Sequence, residues 1–231
     1  MLFEIFVIEP AMNKIRETYS LKIAEYIRNL VRSGKLRPGD PVLESSICKK
    51  LQVSRSPIRE ALLILGQQGI ISYEPQKHKY IRSMSPKEIY DSYIIAGVLE
   101  GVGVAQSIHL WTRKEDENFE KAVEKFNDKA DYESHINTFA EVDENFHLTL
   151  LSACDNERLV EIARTSCSSL AKFLYYPLWQ RLFSPKEFYD RHMLVADAVR
   201  SKEPGLIERT LRAHYEEVGK RLSEKVRDSV R

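Results

Sequence analysis

Four residues of this chain are of types that could hold a metal ion, and helical spacing turns all four inward. Asp143 and His147 are i, i+4 neighbours on a predicted helix face that also carries Ile136, Phe139, Ala140 and Leu150. His192 lies in the apolar stripe Phe188, His192, Val195, Val199, and His214 in the stripe Ile207, Leu211, His214, Val218. A buried carboxylate without a partner costs roughly several kcal/mol, so Asp143 needs a cation, a protonated imidazole or strong donors beside it. A divalent ion satisfies all four groups, and three imidazoles with one carboxylate suit zinc, nickel, cobalt, iron or manganese, with positions left for water or a ligand oxygen. Spacing alone equally fits an Asp143–His147 pair along one helix with His192 and His214 as core histidines. The other histidines have weaker claims: His78 falls in a turn, His135 at a polar helix start and His109 near a helix end.

A second set of residues suits phosphate and base edges. Residues 46–65 read as two short helices joined by a tight turn. Ile47 and Leu51 face inward on the first, Val53 sits in the turn, and Ile58, Leu62 and Leu65 face inward on the second. Ser56 followed by Pro57 fits an N-cap and first helical position. Arg55 and Arg59 then lie one turn apart on the exposed side, where hydroxyls and free N–H groups meet phosphates and arginines reach phosphate or guanine. Charge is distributed accordingly. Residues 1–82 hold 14 lysines and arginines against 8 aspartates and glutamates, whereas residues 83–231 hold 21 against 26.

The elements that must position these residues fall into two domains, 1–82 and 83–231. A helix over about 18–33 with Ile23, Ile27, Leu30 and Val31 on one face ends at Gly34, and Arg37-Pro38-Gly39-Asp40 forms a turn. After Gly69, short strands over 70–73 and 79–82 flank a tip containing Gln76, Lys77 and His78, with Lys79 beside it. Three helices and a basic hairpin make a winged helix-turn-helix. Beyond Ser85-Pro86 every periodicity is helical: about 86–109, 114–129, 134–153, 157–178, 185–201 and 204–228. The fold class is mainly α, a winged helix-turn-helix followed by an all-α antiparallel helical bundle. Gly97, Gly101 and Gly103 either weaken the helix over 86–109 or allow close packing. Phe173, Tyr175, Tyr176 and Trp179 read as core or pocket wall.

Three cysteines, Cys48, Cys154 and Cys167, with no CxxC suit core positions in a reducing cytosol. The apolar start, residues 1–10, lacks a basic region and contains Glu4, which predicts neither secretion nor a membrane anchor. An extra strand and a dimer-contact arm remain open for it.

Ser54-Arg55-Ser56-Pro57-Ile58-Arg59-Glu60-Ala61-Leu62 closely resembles the recognition-helix motif of the GntR family of bacterial transcription regulators. Gly34-Lys35-Leu36-Arg37-Pro38-Gly39 is similar to that family's G-x-L-x-P-G turn. The all-helical remainder looks like the FadR-type C-terminal ligand-binding (FCD) domain, so the likeness runs from about residue 15 onward. The resemblance implies that Arg55, Ser56 and Arg59 contact DNA. The wing tip departs from the family by lacking its usual glycine, which favours phosphate contact by Lys77 and Lys79. The family's first C-terminal helix often carries an arginine about one turn before its glutamate, where this chain has Ala96 before Glu100. In one branch of these domains an aspartate and a histidine four residues apart, with two later histidines, bind a metal, and Asp143, His147, His192 and His214 match them in order.

The expected function is a cytoplasmic, ligand-responsive regulator, a repressor that binds a palindromic double-stranded DNA operator as a homodimer. A small organic acid would complete the metal's shell at the floor of the effector pocket. No residues can be assigned to that effector from sequence. Two rivals use the same cluster: a metal-dependent hydrolase and a direct metal sensor. The sequence contains no HExxH, nucleophile motif or phosphate loop to support the hydrolase.

Overall fold

The computed structural model describes residues 10–73, 79–126, 138–165 and 167–229, which form two compact units, Met1–Ser83 and Met84–Arg231. In the first unit, α1 (Pro10–Arg32) packs on α3 (Arg55–Gln67), with α2 (Glu44–Leu51) between them in sequence. Ile23, Ala24, Ile27 and Val31 of α1 are buried, as are Ile58, Ala61, Leu62 and Leu65 of α3. This is the apolar stripe that helical spacing requires. At the end of α1, Gly34 takes φ +71, its N–H donates to the Val31 carbonyl and that of Lys35 to the Leu30 carbonyl.

The α3 helix opens two residues earlier than its sequence predicts. Ser54 is the N-cap, and Pro57 is the third helical residue rather than the first. Proline is tolerated there because the first four N–H groups of a helix have no intrahelical acceptor. Between α2 and α3, Gln52 holds φ 54 and ψ 40, the left-handed region where a side chain is disfavoured.

Strands β1 (Ile71–Tyr73) and β2 (Lys79–Ile81) pair antiparallel, Ile71 opposite Ile81 and Tyr73 opposite Lys79. Residues 39–42 bond to the free edge of β2: Gly39 N–H donates to Ile81, Val42 N–H to Lys79, and Ile81 N–H to Asp40. The hairpin is thereby tied to the turn before α2. Its tip, including Lys77, lies outside the described residues, as do residues 1–9.

The second unit contains α4 (Pro86–Ser107), a 3-10 turn (Ile108–Leu110), α5 (Arg113–Glu124), α6 (Thr138–Leu150), α7 (Glu157–Arg164), α8 (Cys167–Leu174), α9 (Tyr176–Trp179), α10 (Pro185–Arg200) and α11 (Pro204–Ser229). Capping boxes start α4, α5 and α10: Ser85 with Glu88, Thr112 with Glu115, and Ser184 with Glu187. The single helix predicted over 157–178 is instead α7, α8 and α9. Pro177 lies at the start of α9, where its missing N–H breaks no hydrogen bond but where a continuous helix would need one. Cys48 and Cys154 are half-buried free thiols, not core residues.

The α4 helix is long and apolar enough to cross a membrane by length and composition, but here it is a core helix packed mainly on α11. Its glycines allow that approach. A Cβ at Gly97 would lie 2.9 Å from Tyr215 Cβ and 3.2 Å from Arg212 Cα, and one at Gly219 would lie 2.7 Å from Tyr93 Cβ. The close packing open to Gly97 and Gly101 in the sequence is therefore their role.

Candidate functional site

The four inward-facing residues of the sequence converge in the second unit. Helix α6 supplies Asp143 and His147, α10 supplies His192 and α11 supplies His214. Each histidine offers a ring nitrogen, and these three atoms lie within 4.8 Å of one another. The Asp143 carboxylate adjoins them, with Oδ1 3.2 Å from His192 Nε2 and 3.8 Å from His147 Nε2. Phe126 stacks on the His192 ring at a centroid distance of 4.5 Å, and Phe146 meets it edge-on. An apolar wall thus closes one side of a polar cluster.

The hydrogen bonds of the imidazoles fix what the cluster can hold. Nδ1 of His192 lies 2.7 Å from the Phe188 carbonyl, which can only accept, so Nδ1 carries the proton. In the neutral ring Nε2 is then a bare lone pair aimed at the Asp143 carboxylate. His147 repeats the arrangement: Nδ1 is 2.6 Å from Glu100 Oε1, leaving Nε2 toward Asp143. His214 Nδ1 is buried without any hydrogen-bond partner. Lone pairs that converge on a carboxylate require a cation between them, either a proton or a metal ion, and a carboxylate or carbonyl behind the ring is the usual support of a metal-bound histidine. These residues fit a divalent metal ion.

The electrostatics of the side chains in the cluster agree. Burial opposes ionisation of Asp143, but the Lys172 ammonium and the neighbouring imidazoles outweigh it and hold the carboxyl well below its ordinary value. Burial would lower His147, yet the Glu100 carboxylate overcomes this and raises it. Burial lowers His192, and burial with the surrounding positive groups lowers His214 further.

Sequence spacing missed the groups that support this cluster. Glu100 is 4% exposed and accepts from the Tyr215 hydroxyl at 2.8 Å as well as pairing with His147. A lone carboxylate within the apolar run 94–104 was a signal that a partner must face it. Lys172 on α8 donates to Asp143 Oδ2 at 2.6 Å and lies over the Trp179 ring at 4.2 Å. Arg191 donates to the His214 carbonyl and pairs with Glu217. The Tyr93 hydroxyl is buried, and burial pushes it well above its ordinary pKa.

In the first unit, Arg55 and Arg59 are exposed on the first two turns of α3, and Ser56 beside them is half-buried. Arg59 Nε donates to Glu44 at 3.2 Å, and Lys79 of β2 pairs with the same carboxylate. Glu44, held below its ordinary pKa first by the Lys79 hydrogen bond, thus draws the helix arginine and the hairpin lysine toward one point. Lys77 lies outside the described residues.

Comparison with known proteins gives two family matches. A family model described as "FCD domain" matches residues 91–217, more than half of the chain, and one described as "Bacterial regulatory proteins, gntR family" matches residues 19–81. The HTH-type transcriptional repressor RspR of Escherichia coli K12 is 22% identical over 79% of each chain. The Glc operon transcriptional activator of the same organism is 25% identical over 87% of each. Among solved structures, E. coli McbR/YncC is similar in fold, with a TM-score of 0.67 at 18% identity over 90% of this chain and 98% of that one.

Proposed function

Because the chain belongs to the GntR family of bacterial regulatory proteins and carries its FCD domain, we propose that it is a metal-containing repressor whose hold on a DNA operator is set by a small organic acid. It is a transcription regulator and not an enzyme. The observation that carries the metal-centred reading is the set of imidazole and carboxylate lone pairs converging from α6, α10 and α11.

Arg55 and Ser56 at the start of α3, with Arg59 one turn on, enter a major groove, while Lys79 and Lys77 meet phosphate from the hairpin. A homodimer places two such helices roughly 34 Å apart on a palindrome. Asp143, His147, His192 and His214 hold the metal ion. When bound, that ion supplies a Lewis-acidic centre for the oxygen donors of a small acid. Acid binding shifts the population of dimer arrangements that fit the operator. The similarity to RspR supports the repressor assignment, while the activator relative shows that the opposite output occurs on this fold.

The test starts from operator sequences selected from random DNA by the purified protein. At fixed salt Arg59→Ala loses specific affinity while metal content and melting temperature stay as in the wild type; unchanged affinity would refute the interface. A reporter driven from the operator rises when the regulator is removed, and a fall would make it an activator. Titrating operator binding with metal, with and without small acids, separates acid sensing from metal sensing.

A further inference from the structure

We infer that Lys172 anchors a monoanionic carboxylate ligand: it neutralises Asp143 in the metal-free site and turns to the ligand once a divalent ion takes over that carboxylate. The inference rests on the metal-centred reading above and specifies the charge and anchor of the ligand.

Three observations lead to it. First, Lys172 Nζ is 2.6 Å from Asp143 Oδ2, on the opposite oxygen from the one facing His192. The lysine therefore occupies part of the carboxylate that a metal would share. Lys172 also retains some solvent access, with its side chain 21% exposed against 1% for His192. Its flexible stem lets the ammonium swing while the imidazoles stay fixed.

Second, the charges do not cancel in the loaded site. Coordinating imidazoles are neutral. Asp143 and Glu100 contribute two negative charges, Lys172 one positive and a divalent ion two positive; Arg191 is matched by Glu217. One positive charge is left over in a cluster closed by Phe126, Phe146 and Phe188. An unmatched buried charge is costly, and one monoanion cancels it.

Third, Lys172 sits between an aromatic face and a cluster that keeps an unused polar atom. The Lys172 ammonium lies over the Trp179 ring at 4.2 Å, and that ring flanks it without competing for its hydrogen bonds as an anion would. His214 Nδ1 is a buried polar atom still without a partner.

The inference predicts that metal and monocarboxylate bind cooperatively through Lys172. The test is calorimetric titration of metal-stripped protein with zinc, with acetate or its neutral isostere acetamide present. In the wild type, acetate tightens zinc binding by about tenfold and acetamide does not. Lys172→Arg keeps that coupling. Lys172→Met loses it while binding zinc alone at least as tightly as the wild type, since no ammonium competes for Asp143. Zinc binding that ignores acetate in the wild type, or coupling that survives in Lys172→Met, overturns the inference and leaves the metal site standing. A wild-type protein that takes up no zinc overturns the metal-centred reading itself, and the inference with it. If Lys172→Met does not fold, Lys172→Gln, which removes the charge and keeps a polar end, is titrated in its place with the same outcomes.

Discussion

His192 and Asp143 face each other at 3.2 Å through Nε2 and Oδ1, and the other nitrogen of His192 is committed to the Phe188 carbonyl. A neutral His192 therefore presents a lone pair to a carboxylate, a contact that is repulsive until a cation enters. Metal content should respond accordingly. His192→Ala and His214→Ala should lose the bound ion, read by elemental analysis of purified protein. Glu100→Gln should keep it but bind about 10–100-fold more weakly, since the amide can accept from His147 without its charge. Full occupancy in both alanine variants would mean that the ligands are misassigned.

Acidity should oppose metal binding in a defined window. The Glu100 carboxylate raises His147 above its ordinary value of 6.5, so the ring stays protonated to higher pH than a free histidine. Metal affinity should climb as pH rises from about 6.5 through this raised value and then level off, with proton release detected by calorimetry in buffers of different ionisation enthalpy. For the metal-free protein the sign reverses. The protonated His147–Glu100 pair contributes stability below the unfolded pKa and loses it as pH rises through the folded one, so its melting temperature should fall across the same window. An affinity flat from pH 6 to 8 would contradict this assignment.

Lys79 lies on β2 beside Glu44 and Arg59. If it contacts phosphate, Lys79→Ala should weaken binding similarly to all DNA sequences and reduce the slope of log affinity against log salt by about 1. A loss confined to one base position would instead make it a base-reading residue.

Gln52 holds a left-handed backbone between α2 and α3. Gln52→Gly should relieve that strain and raise unfolding stability by about 1 kcal/mol, measured by denaturant titration, with operator affinity unchanged. A loss of stability would indicate that the Gln52 side chain makes a contact worth more than the strain.

The recognition helix, the hairpin and the inward faces of Asp143, His147, His192 and His214 were legible because each rests on local spacing. Ser85-Pro86 marked a helix start in the same local way, whereas the capping boxes of Thr112 with Glu115 and Ser184 with Glu187 emerge only from the structure. Glu100, Lys172 and Tyr215 were not legible as members of the site. Their partners come from other helices, up to 115 residues apart in the case of Glu100 and Tyr215, and no periodicity records such a meeting. Of the two breaks that divide 157–178 into three helices, Pro177 marks only the second, at the start of α9. The start of α3 was misplaced because proline is accepted at several positions of a first helical turn.

The glycine seam between α4 and α11 decides which members of the polar cluster are held in place by backbone contact. Gly97, Gly101 and Gly219 seat each helix against its neighbour's backbone and Cβ atoms, leaving little room for sliding or rotation. Glu100 and Tyr215 ride on this seam together with His214, and form the fixed jaw of a vice. Asp143, Lys172 and His192 come from α6, α8 and α10, which carry no glycine and take no part in such a seam.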